Sequence, residues 1–285
     1  MSAARISLLT VLSLLAFAGN SVLCRIALKE TEIDAATFTS VRLISGALVL
    51  CLISIVFRRE QQGKGNWTSA FALFVYAAAF SFAYISLSAA TGALILFASV
   101  QATMIGHSVW SGDRFQAPQI LGLGLAFTGL VGLLLPGLSS PPLIPSVLML
   151  ASGVAWAVYT LRGKGAGDPT RVTSGNFLRA AVVSLPLLVL FLSDLNFDSV
   201  GMVYAIASGA IASGLGYSLW YSVLPWLKAT NAATVQLSVP MIAAFGGILM
   251  LGESLTLRFV FASVAILGGI ALVLTNKTES KPPQR

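Results

Sequence analysis

The sequence predicts an all-α integral membrane protein whose ten transmembrane helices form two inverted five-helix repeats, and three observations carry that prediction. Of 285 residues, 56% are hydrophobic and only 9% charged, whereas soluble domains carry about a quarter of charged residues. Apolar runs of about 20 residues, the length of one bilayer crossing, recur along the whole chain. The stretch ATGALILFASVQATMIGHSVWSGDRF, from Ala90 to Phe115, returns as ATNAATVQLSVPMIAAFGGILMLGESL, from Ala229 to Leu255. Thr91, Ala93, Ser99 and Val100 fall where Thr230, Ala232, Ser238 and Val239 fall in the second copy. One residue of slippage later Gly112 and Asp113 meet Gly252 and Glu253, and Gly129 meets Gly269. A match at fixed offset marks an internal repeat.

Helices are expected for every span, because backbone polar groups inside a bilayer must be satisfied within the segment and the runs are too long for barrel strands. The first span, 6–27, follows Arg5 and contains Ala16, Phe17 and Ala18, a small-x-small pattern like a signal-peptide cleavage site. Its apolar run continues through Val22, Leu23 and Cys24, and it corresponds to the sixth span 139 positions on, so it is read as a retained helix. The second to fifth spans are 36–57, 67–87, 91–111 and 117–135, completing a first repeat over 1–136. A connector over 137–145 carries Pro141, Pro142 and Pro145 and reads as turn-rich. The second repeat, 146–275, is reached through a sixth span at 143–162 and continues with 172–193, 199–221, 231–251 and 257–275. The tail 276–285 is charged, contains two prolines and is expected to be disordered in the cytoplasm.

Orientation follows from the positive-inside bias. With the N-terminus inside, twelve Lys and Arg fall on the inner side (Arg5, Arg58, Arg59, Lys64, Arg114, Arg162, Lys164, Arg171, Lys228, Lys277, Lys281 and Arg285). The outer side has Arg25, Lys29 and Arg258, and Arg42 and Arg179 lie within spans. Both termini are thus expected in the cytoplasm. Five spans per half is an odd number, so the second half enters the membrane upside down. Secondary transporters use such inverted repeats, with the substrate site near the midplane between the halves.

The net charge of +7 does not indicate nucleic-acid binding, since the basic residues lie between apolar runs instead of gathering on one solvated face. Cys24 and Cys51 fall near opposite ends of adjacent spans, and neither a disulfide framework nor a metal spacing is present. A membrane-embedded enzyme would need paired carboxylates, a His cluster or a nucleophile with its base. The chain has one His and places its Asp and Glu in loops or at span ends. No catalytic group, cofactor, metal or ATP-binding loop is predicted. The expected partners are a small-molecule substrate, an amino acid or similar metabolite, and the lipid bilayer, with the protein a monomer or weak homodimer.

Two five-span halves, each with an apolar helix, a Gly followed by an acidic residue and a glycine-containing last helix, resemble the ten-helix EamA-type exporters of the drug/metabolite transporter superfamily. The resemblance covers residues 6 to 275, and within the family the chain is most similar to YddG-like exporters of aromatic amino acids. It implies export across the bacterial inner membrane and a central cavity lined by the first four helices of each half. The fifth and tenth helices are implied to brace the halves, and Gly122 with Ala126 and Ala265 with Gly269 are small-xxx-small pairs that suit close approach. Small four-helix relatives exchange protons for cationic drugs at a carboxylate in their first helix. No acid stands in the first span here, so a zwitterion exporter, by alternating access and without proton coupling, is favoured. The alternative is a broader drug/metabolite exporter, cationic solutes included, driven by protons.

The candidate substrate-binding residues follow from position within the spans. Arg42 and Arg179 are charges in apolar helices, each costing at least about 2.5 kcal/mol to insert, and a substrate carboxylate could pair with either. Both could instead satisfy backbone carbonyls or snorkel. His107 could sense protons or bond a substrate, or cap a helix end. Gln101 is matched in the ninth span by Pro240, which removes a backbone donor and opens the helix. Tyr76, Phe80 and Tyr84 recur every four residues on one face of the third helix, as Tyr217 and Tyr221 do on the eighth, and Trp156 shares a face with Tyr159. Such rings suit an aromatic solute, but lipid-facing packing accounts equally well for Tyr76, Phe80, Trp156 and Tyr159, and Tyr84 could belong to the interfacial belt. Trp67, Trp110, Tyr221 and Trp226, near span ends, are instead assigned to the interfacial belt. Asn20, which corresponds to Tyr159 at the repeat offset, and Ser81, Ser99, Ser213 and Ser238 could line a polar path or serve close packing.

Overall fold

A computed structural model describes residues 1–56, 63–112, 115–137, 140–163, 166–227 and 229–275. The predicted disordered tail lies outside the described residues. Among the described residues, ten helices are long and apolar enough to cross a membrane. They are α1 (Ala3–Glu30), α2 (Ala35–Val56), α3 (Trp67–Tyr84), α4 (Ala89–Trp110) and α5 (Ala117–Leu134), then α6 (Leu143–Gly163), α7 (Pro169–Leu190), α8 (Ser199–Trp226), α9 in two pieces and α10 (Leu257–Thr275).

Short polar side chains set the starts of these helices by accepting the N–H groups that the first turn leaves orphaned. Ser2 accepts from Arg5, Asn66 from Ser69, Ser88 from Thr91, Asp168 from Arg171 and Asp198 from Gly201. The Ser88 cap explains why α3 stops at Tyr84, short of the predicted residue 87: three residues are spent turning the chain into α4. α6 begins inside the predicted connector. Pro145 falls in its first turn, where a missing N–H costs nothing.

Two helices depart from regular winding, and both belong to the second half. α8 is α-helical over Ser199–Ala207, widens into a π-helix over Ser208–Leu215, resumes over Gly216–Val223 and ends in a 3₁₀ turn, Leu224–Trp226. α9 consists of α9a (Ala229–Gln236) and α9b (Val239–Leu251), separated by a turn at Leu237 and Ser238. Pro240 has no N–H to give to the Gln236 carbonyl, so the helix interrupts there.

The packing repeats under a pseudo-two-fold. α3 packs on α6 as α8 packs on α1, and α4 on α6 as α9 on α1. α3 meets α7 as α8 meets α2, while α2–α7 and α5–α10 are their own mates. The α5–α10 pair closes tightly, because a Cβ at Gly122 would meet the Gly269 carbonyl and one at Gly129 would meet Ala265. The pairing uses the small residues singled out in the sequence. α4 lies at the centre of the bundle and α5 at its edge, with 72% and 17% of their apolar windows buried.

Gly112 and Gly252, matched in the two repeats, both adopt positive φ, +97° and +62°. Gly252 forms the left-handed cap of α9b, which only glycine takes without strain. That turn aims the next residue, Glu253, back at the first half.

Candidate functional site

A cavity of about 260 Å³ opens where the halves meet, walled by α1, α3, α4, α6, α8 and α9a. Its mid-depth wall is aromatic. Trp156 stacks on Tyr217 (centroids 5.1 Å apart, planes at 28°) and leans on Tyr76 at 4.8 Å; Phe80 adjoins Tyr76 at 5.6 Å. These rings come from both halves, since four-residue spacing turns Tyr76 and Phe80 to one side of α3 and Trp156 and Tyr217 reach them from α6 and α8. Phe17 of α1 closes the ring set at 5.7 Å from Tyr217.

Polar groups are few and placed at the same depth. Asn20 accepts from Ser208 Oγ at 2.6 Å and donates to the Tyr76 hydroxyl at 3.5 Å. The Tyr76 oxygen also accepts from Arg42 Nη2 at 2.9 Å, and Arg42 Nε donates to Ser213 Oγ at 3.4 Å. Arg42 is 1% exposed and lies behind this wall, its guanidinium 5.1 Å from the Tyr76 ring centroid and 4.9 Å from that of Phe80. No carboxylate pairs with it among the described residues, and Nη1 has no hydrogen-bond partner. Gln101, buried at 3%, contributes an amide to the wall from α4, and Gln236 another from the last turn of α9a.

From mid-depth the lining continues through Met104, Thr160, Leu224 and Ala232 toward the end of the bundle where α1 begins. The opposite end is shut. Arg25, near the end of α1, donates Nη1 to the Tyr84 and Ile85 carbonyls at 2.9 and 2.7 Å and pairs through Nε with Glu253 Oε1 at 3.3 Å. Glu253 Oε2 accepts the Ala89 N–H at 2.9 Å. One carboxylate of the second half thereby ties together α1 and the α3–α4 turn of the first.

Of the residues singled out in the sequence, Asn20, Tyr76, Phe80, Gln101, Trp156, Ser213 and Tyr217 line this cavity. Six others stand elsewhere. Tyr84, wholly buried, donates to the Ala89 carbonyl at 3.3 Å at the shut end. Ser99 donates to the Leu150 carbonyl at 2.8 Å and helps fasten α4 to α6. His107 is on an exposed face. Tyr159 packs beneath Trp156 and bonds Thr173 at 3.3 Å. Arg179 spends its guanidinium on the Lys64 and Gly175 carbonyls, at 2.7 and 2.8 Å, and stands 5.7 Å from the Trp67 ring. Pro240 lies beyond the wall, and its effect there is the break that follows Gln236. Tyr221, assigned from sequence to the interfacial belt, is instead part of the lining, while Trp67, Trp110 and Trp226 are exposed. The sequence reading missed Phe17, Thr160, Trp220 and Gln236. Helical spacing from Asn20 back to Phe17 and from Tyr217 to Trp220 is the signal that points to two of these positions.

Comparison with known proteins agrees with this architecture. A crystal structure of 16% sequence identity shares the fold, with a TM-score of 0.66 over 95% of this chain and 96% of the other. An uncharacterised protein of Pseudomonas aeruginosa is 55% identical over 95% of this chain and 94% of its own length. The threonine/homoserine exporter RhtA of Salmonella typhimurium is 32% identical across half of each chain. The sequence profile of the EamA-like transporter family matches twice, over residues 4–135 and 143–275, once on each five-helix half. This chain is a multi-pass membrane protein that belongs to the EamA-like transporter family, within the drug/metabolite transporter superfamily.

Proposed function

We propose that the protein exports small zwitterionic amino acids, aromatic ones foremost, from the bacterial cytoplasm across the inner membrane. The observation that carries this reading is the cavity between the halves, aromatic at mid-depth and furnished with amides and hydroxyls but, among the described residues, with no carboxylate or histidine. Rings supply affinity for an apolar or aromatic side chain, and the polar groups orient the amino-acid end. The volume lies just under the roughly 300–1,000 Å³ of typical small-molecule pockets, which suits a single amino acid better than a bulky drug. The relative named as a threonine/homoserine exporter supports amino acids as the solute class.

The positive-inside bias assigns the open end of the cavity to the cytoplasm and the Arg25–Glu253 end to the exterior. In this state the site loads from the cytoplasm; release requires the exterior lock to part while the cytoplasmic end closes, the alternating access expected of inverted repeats. With no carboxylate or histidine in the lining among the described residues, we read the flow as following the solute gradient without protons.

The test is uptake of labelled tryptophan, threonine, leucine and a lipophilic cation into liposomes holding the purified protein, with and without a pH gradient. Saturable amino-acid flux that ignores the gradient is the expected result. Gradient-driven cation flux without an amino-acid signal would replace this reading with that of a proton-coupled drug exporter.

A further inference from the structure

The two arginines within the spans are engaged very differently. Arg179 is consumed by two backbone carbonyls and an aromatic face. Arg42 is the more deeply buried of the two and, among the described residues, has two hydroxyl partners, no carboxylate and one nitrogen without an acceptor. A buried guanidinium without a counter-charge is costly, because desolvation is not offset by an opposite charge. Such a cost is tolerated where a visiting anion meets it.

The partners of Arg42 indicate where that anion would bind. Tyr76 and Ser213 both line the cavity, so each hydroxyl stands between the guanidinium and the solute space. The Tyr76 oxygen already accepts from Arg42 and Asn20, which leaves its own hydrogen as the group it can offer, to the neighbouring Tyr217 hydroxyl in the empty cavity and to a solute oxyanion that displaces that contact. A charge donating into that oxygen polarises the O–H and strengthens it as a donor to an oxyanion. Phe80 and the Tyr76 ring adjoin the guanidinium, which is 1% exposed, so water screens its field toward the cavity less than it would a surface charge.

We propose that Arg42 is a fixed counter-charge for a carboxylate on the transported solute, held at the Tyr76–Ser213 edge of the cavity, and that it selects carboxylate-bearing solutes and repels purely cationic ones. The inference deepens the amino-acid reading but does not depend on the amino group: a simple carboxylate satisfies it equally. Arg42 Nη1 is the donor available to join the two hydroxyls when the anion arrives.

The purified protein tests this by thermal melting with phenylalanine, with phenethylamine, which lacks the carboxylate, and with 3-phenylpropionate, which lacks the amine. Hydrogen bonds to charged groups translate to about 10- to 100-fold in affinity. Phenylalanine and 3-phenylpropionate are therefore expected to stabilise at concentrations at least about tenfold below any effect of phenethylamine. Arg42→Lys keeps the charge but loses the planar fork, and it should weaken both carboxylates about tenfold while leaving the amine unchanged. Arg42→Met removes a buried charge without leaving an opposite charge unpaired, and Tyr76 keeps its bond from Asn20 while Ser213 loses the Arg42 donor, so the variant is expected to stay folded; it should erase the preference. Binding of 3-phenylpropionate without any amino-acid flux would keep the carboxylate site and remove the amino-acid reading. Equal binding of phenethylamine and phenylalanine to the wild-type protein would overturn the inference whatever the variants do, as would a carboxylate preference unchanged in Arg42→Met. No melting shift with either carboxylate would overturn it too.

Discussion

The two halves share a plan but divide the work. In the first half α3 and α4 run unbroken, and α4 is the most enclosed span. In the second, their counterparts α8 and α9 are interrupted, α8 by a π-helical stretch and α9 by a break before Pro240. Part of the second half's share of the cavity wall comes from beside those interruptions, Ser213 from within the π-helix, Tyr217 just after it and Gln236 just before the break, while Trp156 and Thr160 come from the unbroken α6. Irregular backbone at membrane depth is tolerated where it lines a cavity, and π-helical turns concentrate at functional sites. One half supplies a fixed wall and the other a wall able to yield, so disabling each device in turn tests that division.

The largest effect is expected at Gly209, inside the π-helical stretch of α8. A Cβ there would overlap the Arg42 carbonyl and Ser45 Oγ of α2, so the backbones of α2 and α8 touch directly. Gly209→Leu should destabilise by at least about 3 kcal/mol through overpacking and abolish transport by leaving little folded protein, as read by melting in detergent. Gly124→Leu, at a site with nothing near its Cβ, should change stability by no more than about 0.5 kcal/mol. Equal melting of the two variants would show that the π-helical contact does not hold the halves together.

Next is Trp156, the plate that touches Tyr76 of the first half and Tyr217 of the second. Losing that stacking and the solute contact should raise the half-saturating concentration for tryptophan about tenfold, with a smaller change for threonine. Trp156→Ala with identical kinetics for both solutes would remove the ring from the binding surface.

Glu253→Gln comes third. It keeps an acceptor for the Ala89 N–H but takes the charge from a pair whose side chains are 12% and 10% exposed. The expected cost is about 1–2 kcal/mol, seen as a lower melting temperature, with flux raised a few-fold because the lock at the shut end opens more readily. Unchanged flux at lowered stability would make the pair a staple only.

How much of this was legible in the sequence depended on whether a residue's role was local. The matched Gly112 and Gly252 were visible because a left-handed turn is a property of one residue, and the Gly122 and Gly269 surfaces because close packing needs small side chains at helical spacing. Four-residue periodicity put Tyr76 and Phe80 on one face at mid-span depth, but whether that face and Trp156 meet the cavity or lipid was not written in the sequence. Tyr221 was assigned to the wrong surface because spans apolar on all sides carry little record of which face meets lipid. The π-helix of α8 was not read from the sequence, because the close approach of its Gly209 to α2 is a contact between segments far apart in the chain. Arg42 and Arg179 were indistinguishable for the same reason: nothing in either span says which guanidinium will find carbonyls.

That last pair gives the smallest expected effect. Arg179 bridges the Gly175 carbonyl of its own helix to the Lys64 carbonyl before α3, so it anchors a connection between the halves without facing the solute. Its two charge-assisted bonds run to partly exposed carbonyls that water can serve in its absence, which limits the cost of Arg179→Ala to about 1 kcal/mol. Transport should fall less than about twofold and by the same factor for tryptophan, threonine and leucine, since no solute group is recognised there. A loss confined to carboxylate-bearing solutes would mean that the guanidinium leaves its carbonyls during the transport cycle. The second half would then carry a solute charge site of its own, and the division between a fixed wall that recognises and a yielding wall that moves would fail.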